Sequence, residues 1–229
     1  MKRLIPVHAD GWKFVVGFAV LGVLILSFSW FNVLLGGFCL FAAVFSVAFF
    51  RDFERTIPQT DDLLSPADGT VTEIALIDGE GYGKGRVIRI FLSVFNGHIQ
   101  RAPAAGKVTA ITYTPGLFLD ARDPKACFAN ESNAVEIQTP RGRILVKQIA
   151  GLIARRIVCW ARPDDELRAG ERFGLIRYGS QVDLYLPADV EVLVKENDKV
   201  LAGLTPMARW SQVSNVDGHS ADVAEAVAR

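Results

Sequence analysis

Residues 14–50 contain no charged side chain. A bilayer crossing takes about 20 apolar residues, so this run is too long for one span and suits two short ones. It predicts apolar helices over residues 14–30 and 33–50, turning at Phe31-Asn32, as a spanning or a shallow re-entrant hairpin. Past residue 63 the pattern changes to the alternation of half-buried strands. Strands are expected over residues 86–92, 133–138, 144–149, 181–186 and 190–195. In 181–186, Val182, Leu184 and Leu186 alternate with Asp183 and Tyr185. In 190–195, Val190, Val192 and Val194 face one way and Glu191 and Lys195 the other. No stretch has the period of a long soluble helix. The expected fold is mostly β: a folded-over β-sandwich or barrel-sandwich-like domain behind an N-terminal hydrophobic helical hairpin.

The same pattern divides the chain. Residues 1–12 are a polar N-terminus, 13–50 the hairpin, 51–63 a charged connector, 64–207 the β domain, and 208–229 a polar, alanine-rich tail expected to be poorly ordered. Within the domain, Pro66-Ala67-Asp68-Gly69-Thr70-Val71-Thr72-Glu73-Ile74 recurs as Pro103-Ala104-Ala105-Gly106-Lys107-Val108-Thr109-Ala110-Ile111. Two related turn-strand units follow. Asp68 stands where the second copy has Ala105, so a turn that needs only its glycine leaves the carboxylate for another task.

Charge and cysteine usage narrow the partners. The 25 basic and 25 acidic groups balance, which gives no support for nucleic-acid binding. Cys39, Cys127 and Cys159 have no metal-ligand spacing and read as reduced thiols in a cytosol-facing protein. No metal site is expected. Lys2, Arg3 and Lys13 precede the apolar run, and Arg51 and Arg55 follow it, which predicts both ends in the cytoplasm on the inner face of the cell membrane. A cleaved signal peptide would have a much shorter apolar core.

The candidate chemistry centres on Gly179-Ser180, at the entry to the strand over residues 181–186. Glycine allows a strained peptide there, and the serine hydroxyl is placed to attack the preceding carbonyl. His98 is the single histidine of the domain, since His8 precedes the hairpin and His219 lies in the tail. Ser180, His98 and Asp68 make a possible triad. The Gly-x-Ser-x-Gly signature of many serine hydrolases is absent around Ser180.

In order along the chain stand Phe50-Arg51-Asp52-Phe53-Glu54-Arg55, Ser65-Pro66-Ala67-Asp68-Gly69, Asn96-Gly97-His98-Ile99-Gln100-Arg101-Ala102-Pro103, Asn130-Glu131-Ser132-Asn133, Gln148-Ile149-Ala150-Gly151 with Ala154-Arg155-Arg156, and Arg177-Tyr178-Gly179-Ser180. With these segments the chain resembles the phosphatidylserine decarboxylase proenzymes of the short bacterial and archaeal branch, from the hairpin to about Pro206. The resemblance implies self-cleavage between Gly179 and Ser180, giving a β chain of residues 1–179 and an α chain of residues 180–229 that stay together as a heterodimer, with higher oligomers open. It implies that Ser180 becomes a pyruvoyl group, the cofactor. That group would take the amine of phosphatidylserine as a Schiff base and act as the electron sink for loss of carbon dioxide, yielding phosphatidylethanolamine. It assigns proton handling to His98 and Asp68, and makes Arg101, Arg155 and Arg156 candidates for holding the lipid phosphate or the substrate carboxylate. The longer branch of the family has His-x-x-His where this chain has His98 and Arg101, so the base for self-cleavage stays open.

Two other readings compete on residues alone. One is a membrane-tethered carrier or adaptor of the biotinyl or lipoyl type, with Lys199 in Asn197-Asp198-Lys199-Val200-Leu201-Ala202-Gly203 as the modified residue. The other is a membrane-anchored serine hydrolase. The first leaves an intact chain with a lysine adduct; the second reacts with a fluorophosphonate without chain cleavage.

Overall fold

The structure is a computed structural model that describes residues 7–28, 33–79, 82–120, 126–152, 156–177 and 180–211. Two apolar helices come first, α1 (Ala9–Phe28) and α2 (Val33–Phe49). They pack on each other and expose most of their apolar side chains, among them Val20, Leu24, Leu34, Phe38 and Phe41. Helix α1 starts five residues before the charge-free run because its base docks on the domain. His8 N–H donates to the Phe50 carbonyl at 2.8 Å, and Gly11 leaves room for the Phe50 side chain.

The remaining elements are β1 (Leu63–Leu64), β2 (Gly69–Gly79), β3 (Gly83–Leu92), β4 (Ile99–Arg101), β5 (Gly106–Thr114), α3 (Ala126–Ala129), β6 (Ser132–Thr139), β7 (Gly142–Ala150), β8 (Ile157–Cys159), β9 (Glu166–Leu167), β10 (Arg172–Ile176), β11 (Ser180–Leu186), β12 (Glu191–Val192), β13 (Lys199–Val200) and β14 (Pro206–Arg209). The fold is mostly β, as the alternation predicts. Eight antiparallel strands form one curled sheet in the order β13-β2-β3-β11-β7-β6-β5-β9. Two three-stranded sheets, β4-β10-β8 and β1-β14-β12, complete the domain. Val71, Ile88, Ile90, Val135, Val146, Val182 and Leu184 fill the core.

The repeat extends well beyond the two short segments visible in the sequence. The large sheet is two four-strand halves, β13-β2-β3-β11 and β9-β5-β6-β7, joined where β11 meets β7. Gly69 and Gly106 occupy equivalent places: a Cβ at either would strike the partner strand's carbonyl, Phe91 O or Gln138 O. A bulge follows each, at Val71/Glu73 and at Val108/Ala110. The halves bond reciprocally, Leu64 N–H to Pro103 O at 2.8 Å and Arg101 N–H to Pro66 O at 2.9 Å. Each half also uses a distant turn with a left-handed residue, Asn197 in one and Asp164 in the other. The Asn197–Gly203 turn that suggested a carrier is therefore one of a structural pair. Its twin has Glu166 where it has Lys199.

Two boundaries differ from the sequence reading. The strand over residues 190–195 shrinks to the two residues of β12, although Val190 is buried in the core. The domain runs on past residue 207, because β14 pairs with β1 and Trp210 is buried against the core. Residues 212–229 of the expected tail lie outside the described residues.

Candidate active site

Ser180 is the first residue of β11, whose seven residues are all buried. Backbone ladders on both sides fix the strand, with Ser180 opposite Leu92 of β3 and Ala150 of β7. The equivalent strand of the other half, β7, begins at Gly142, in a tight turn straight from β6. In the Ser180 half, the chain between β3 and β11 instead makes the whole second half of the fold. A serine thus begins the strand where its twin has a hairpin turn. Ser180 Oγ is buried and has no hydrogen-bond partner among the described residues. An orphaned buried hydroxyl costs about 1–3 kcal/mol, and such groups persist at functional sites. Tyr178 and Gly179, the preceding residues and half of the expected cleavage site, lie outside the described residues.

His98 belongs to the same end of the sheet. It follows the turn after β3, and its carbonyl accepts from Ile176 N–H of β10 at 3.3 Å and from the Gln100 amide at 2.8 Å. It is fully buried. Its Nδ1 lies 3.0 Å from the Asn96 carbonyl. A carbonyl only accepts, so the neutral ring carries its proton on Nδ1 and keeps the lone pair on Nε2. Burial pushes the pKa of His98 down to about 3, with Arg51 adding to the fall and Asn96 and Asp68 opposing it. The imidazole is thus neutral at physiological pH.

Beneath His98 runs a chain of buried amides. Asn133 donates to Gln148 at 3.0 Å, Gln148 to Gln100 at 2.9 Å, and Gln100 to the His98 carbonyl. Sequence reading quoted Gln100, Gln148 and Asn133 among the motif segments but gave them no role. The signal was there, since polar residues at inward positions of apolar strands need one another.

Asp68 is held rather than poised. Its carboxylate takes both Arg55 guanidinium nitrogens at 2.7 Å and the Ala202 N–H at 2.7 Å. Arg55 also donates to Ala202 O at 2.5 Å. One ion pair therefore ties the segment after α2 to both the first half of the domain and the C-terminal strands. Asp68 lies against Gly97, where a Cβ would come within 2.6 Å of Oδ2.

The candidate cations are differently placed. Arg101 is buried and donates to Gly170 O and Phe53 O, each at 2.9 Å. Burial, then Arg172 and Arg55 beside it, lowers its pKa to about 10. It fastens the connector, as does Arg172 through Asp52 at 2.8 Å. The charged connector is a strap. Arg156 is exposed, its carbonyl bonded by Arg177 N–H, and Arg155 lies outside the described residues. A cleft of about 410 Å3 opens at the turn that leads into His98, lined by Arg51, Arg55, Asp68, Asn96 and Gly97 among others; buried His98 is not part of its lining.

A sequence model of phosphatidylserine decarboxylase matches residues 42–208, well over half of the chain. The chain belongs to the phosphatidylserine decarboxylase family. The match begins inside α2 and ends in β14, so the matched region takes in the strap, both halves of the sheet, His98 and Ser180. Membership supports a phosphatidylserine decarboxylase activity. Helix α1 is also long and apolar enough to cross a membrane, and α2 is a shorter apolar helix.

Proposed function

We propose that this member of the family is a pyruvoyl-dependent phosphatidylserine decarboxylase of the short branch, and that it makes the pyruvoyl group from its own Ser180. The observation that carries this is the buried Ser180 hydroxyl at the head of the central strand, without a partner among the described residues. In this reading Ser180 Oγ attacks the Gly179 carbonyl and the amide becomes an ester. His98 takes the hydroxyl proton at Nε2. Loss of the Ser180 α-proton expels the Gly179 carboxylate, and hydrolysis releases ammonia. The resulting ketone supplies a carbonyl that captures the substrate amine and accepts the electrons released with carbon dioxide.

The other residues hold and position. Asp68 and Arg55 clamp the two fragments, residues 1–179 and 180–229. The ladders of β11 with β3 and β7 keep them together after cleavage. Arg51 is the cation with access to the cleft and to a lipid phosphate, with Arg155 and Arg156 as further candidates. The α1–α2 hairpin anchors the domain at the cytoplasmic face of the cell membrane, where phosphatidylserine headgroups are presented.

Intact-mass measurement of purified protein tests the reading. Two chains are expected, the smaller starting at position 180, lacking one ammonia and blocked to Edman sequencing. Ser180→Ala should remain one chain. Borohydride with phosphatidylserine should trap an adduct on the small chain alone. A single unmodified 229-residue chain that decarboxylates phosphatidylserine would sink the mechanism.

A further inference from the structure

The base of the hairpin is ringed by exposed apolar side chains that the reaction does not use. Phe95 is 79% exposed at the apex of a tight turn. That turn is rigid: Asn96 N–H donates to Ser93 O at 2.9 Å, and Asn96 Oδ1 accepts from Ser93 N–H at 2.8 Å and from Ser93 Oγ at 2.7 Å. Leu201 and Phe53 are about half exposed on the same cleft, and Leu204 lines it too. Arg51 ties this rim to the hairpin. One guanidinium nitrogen caps the end of α2 at Ala48 O, at 2.5 Å, and another donates to Phe95 O. The Phe95 turn is therefore fixed within one side chain of the point where α2 ends.

The internal repeat supplies an independent comparison. The turn Leu201-Ala202-Gly203-Leu204 has a twin in Arg168-Ala169-Gly170-Glu171, and both glycines are left-handed. In the twin, Arg168 N–H bonds the Glu171 carboxylate at 2.9 Å and both residues are exposed. The same backbone thus carries charge in one half and leucine in the half beneath the hairpin. Turn geometry does not require the leucines. An exposed apolar patch of this kind marks a contact surface.

We propose that Phe95, Phe53, Leu201 and Leu204 form a second membrane contact, an apolar rim seated at the boundary between acyl chains and headgroups of a phospholipid bilayer. The occupant is a lipid surface because Arg51 fastens the rim to the end of the exposed apolar helix α2 and is itself a cation suited to phosphates. Glu54 lines the same cleft and keeps its floor from being uniformly basic. The rim sets the tilt of the domain, so that the cleft at the turn leading into His98 opens on the headgroup layer. This inference rests on the hairpin being the membrane anchor.

Photocrosslinking separates the two claims. Full-length protein carrying p-benzoylphenylalanine at position 95, 41 or 76 is bound to phosphatidylcholine–phosphatidylglycerol vesicles, illuminated and weighed. Phe41 is on the hairpin; Leu76 is exposed at the far end of the sheet. Adducts of one phospholipid are expected at 95 and 41 and not at 76. Lipid at 41 but not at 95 overturns the rim and leaves the anchor standing. Lipid at 95 and 76 alike overturns it too, as does a protein adduct at 95 in place of lipid in cells. Chain cleavage, read in the same spectra, reports separately on the proposed chemistry. For active protein, Phe95→Asp with Leu201→Asp should lower the ratio of turnover on phosphatidylserine vesicles to turnover on short-chain, water-soluble phosphatidylserine by about tenfold or more, the scale of burying large apolar side chains. An unchanged ratio overturns the rim.

Discussion

The ring of Phe49, the last residue of α2, lies 4.0 Å, centroid to centroid, from the imidazole of His98. The apolar hairpin thus forms a wall of the candidate site. The same base places Phe14 under the Arg177 guanidinium, 5.3 Å away, just before the residues that lead to Ser180. Removing this wall should change the chemistry of His98 before it changes the fold.

His98 gives a pH signature with a definite sign. Its folded pKa is about 3, and the ordinary value is 6.5. Between these values the unfolded chain binds a proton that the folded chain does not. Stability is therefore full above about pH 6.5 and falls with acidification towards pH 3, by about 1.4 kcal/mol per unit. Denaturant melts in detergent across this range should show a shallower acid loss in His98→Asn. Phe49→Ala lets water reach the ring, raises its pKa and narrows the window. An identical pH dependence in all three proteins would remove His98 as its source.

Asp183 acts in the opposite sense. It is wholly buried on the other face of β11, bonded by Gln181 at 2.6 Å and paired with Arg89 at 3.3 Å. Burial raises its pKa to about 6 despite Arg89, from an ordinary value of 3.8. Here the folded state binds the extra proton. The contribution is present below about pH 3.8 and is lost as pH rises through 6. Asp183→Asn should remove this term, so that the variant loses more stability on acidification from pH 6 to 4 than the parent. The two residues partly mask each other in the parent protein, and the single variants separate them.

The Asp68 clamp is tested by a cycle. Asp68→Ala leaves Arg55 buried without its carboxylate and should cost about 3–5 kcal/mol. Adding Arg55→Ala should restore part of that loss, a coupling that independent sites do not show. If the chain cleaves, the small fragment should dissociate at lower denaturant in Asp68→Ala. A pH profile of cleavage that moves with Asp68→Asn, at unchanged stability, would instead give Asp68 the proton-handling part.

Gly174 tests the buried amides. A Cβ there would sit 2.6 Å from Gln148 Nε2 and 2.8 Å from Val158 O. Gly174→Ala should push the Gln148 amide off Gln100 and destabilise the protein by about 1–3 kcal/mol, the usual scale of overpacking. Thermal melts of variants at Gly174 and at Gly37 of α2, which has open space around it, make the comparison.

Much of this protein was legible without coordinates. The uncharged run predicted two apolar helices, because membrane-length apolar segments are a property of local composition. The alternation of Val182, Leu184 and Leu186 predicted a strand, because side-chain period is local too. Ser180 and His98 stood out by type and rarity. What sequence could not decide was who touches whom. Asp68 and Arg55 are both visible as charged residues, yet only the fold brings Ala202 N–H to the same carboxylate and makes the pair a clamp. Arg101 read as a free cation until Gly170 O and Phe53 O closed around it. The second halves of the repeat, the turns at Asp164 and Asn197, share too few residues for sequence to pair them. Backbone hydrogen bonds to Val108 and Val71 impose their likeness, and backbone groups are common to every residue. Phe49 against His98 is the extreme case: they are 49 positions apart in the chain, and only docking of the hairpin on the sheet makes an apolar helix end part of the candidate site.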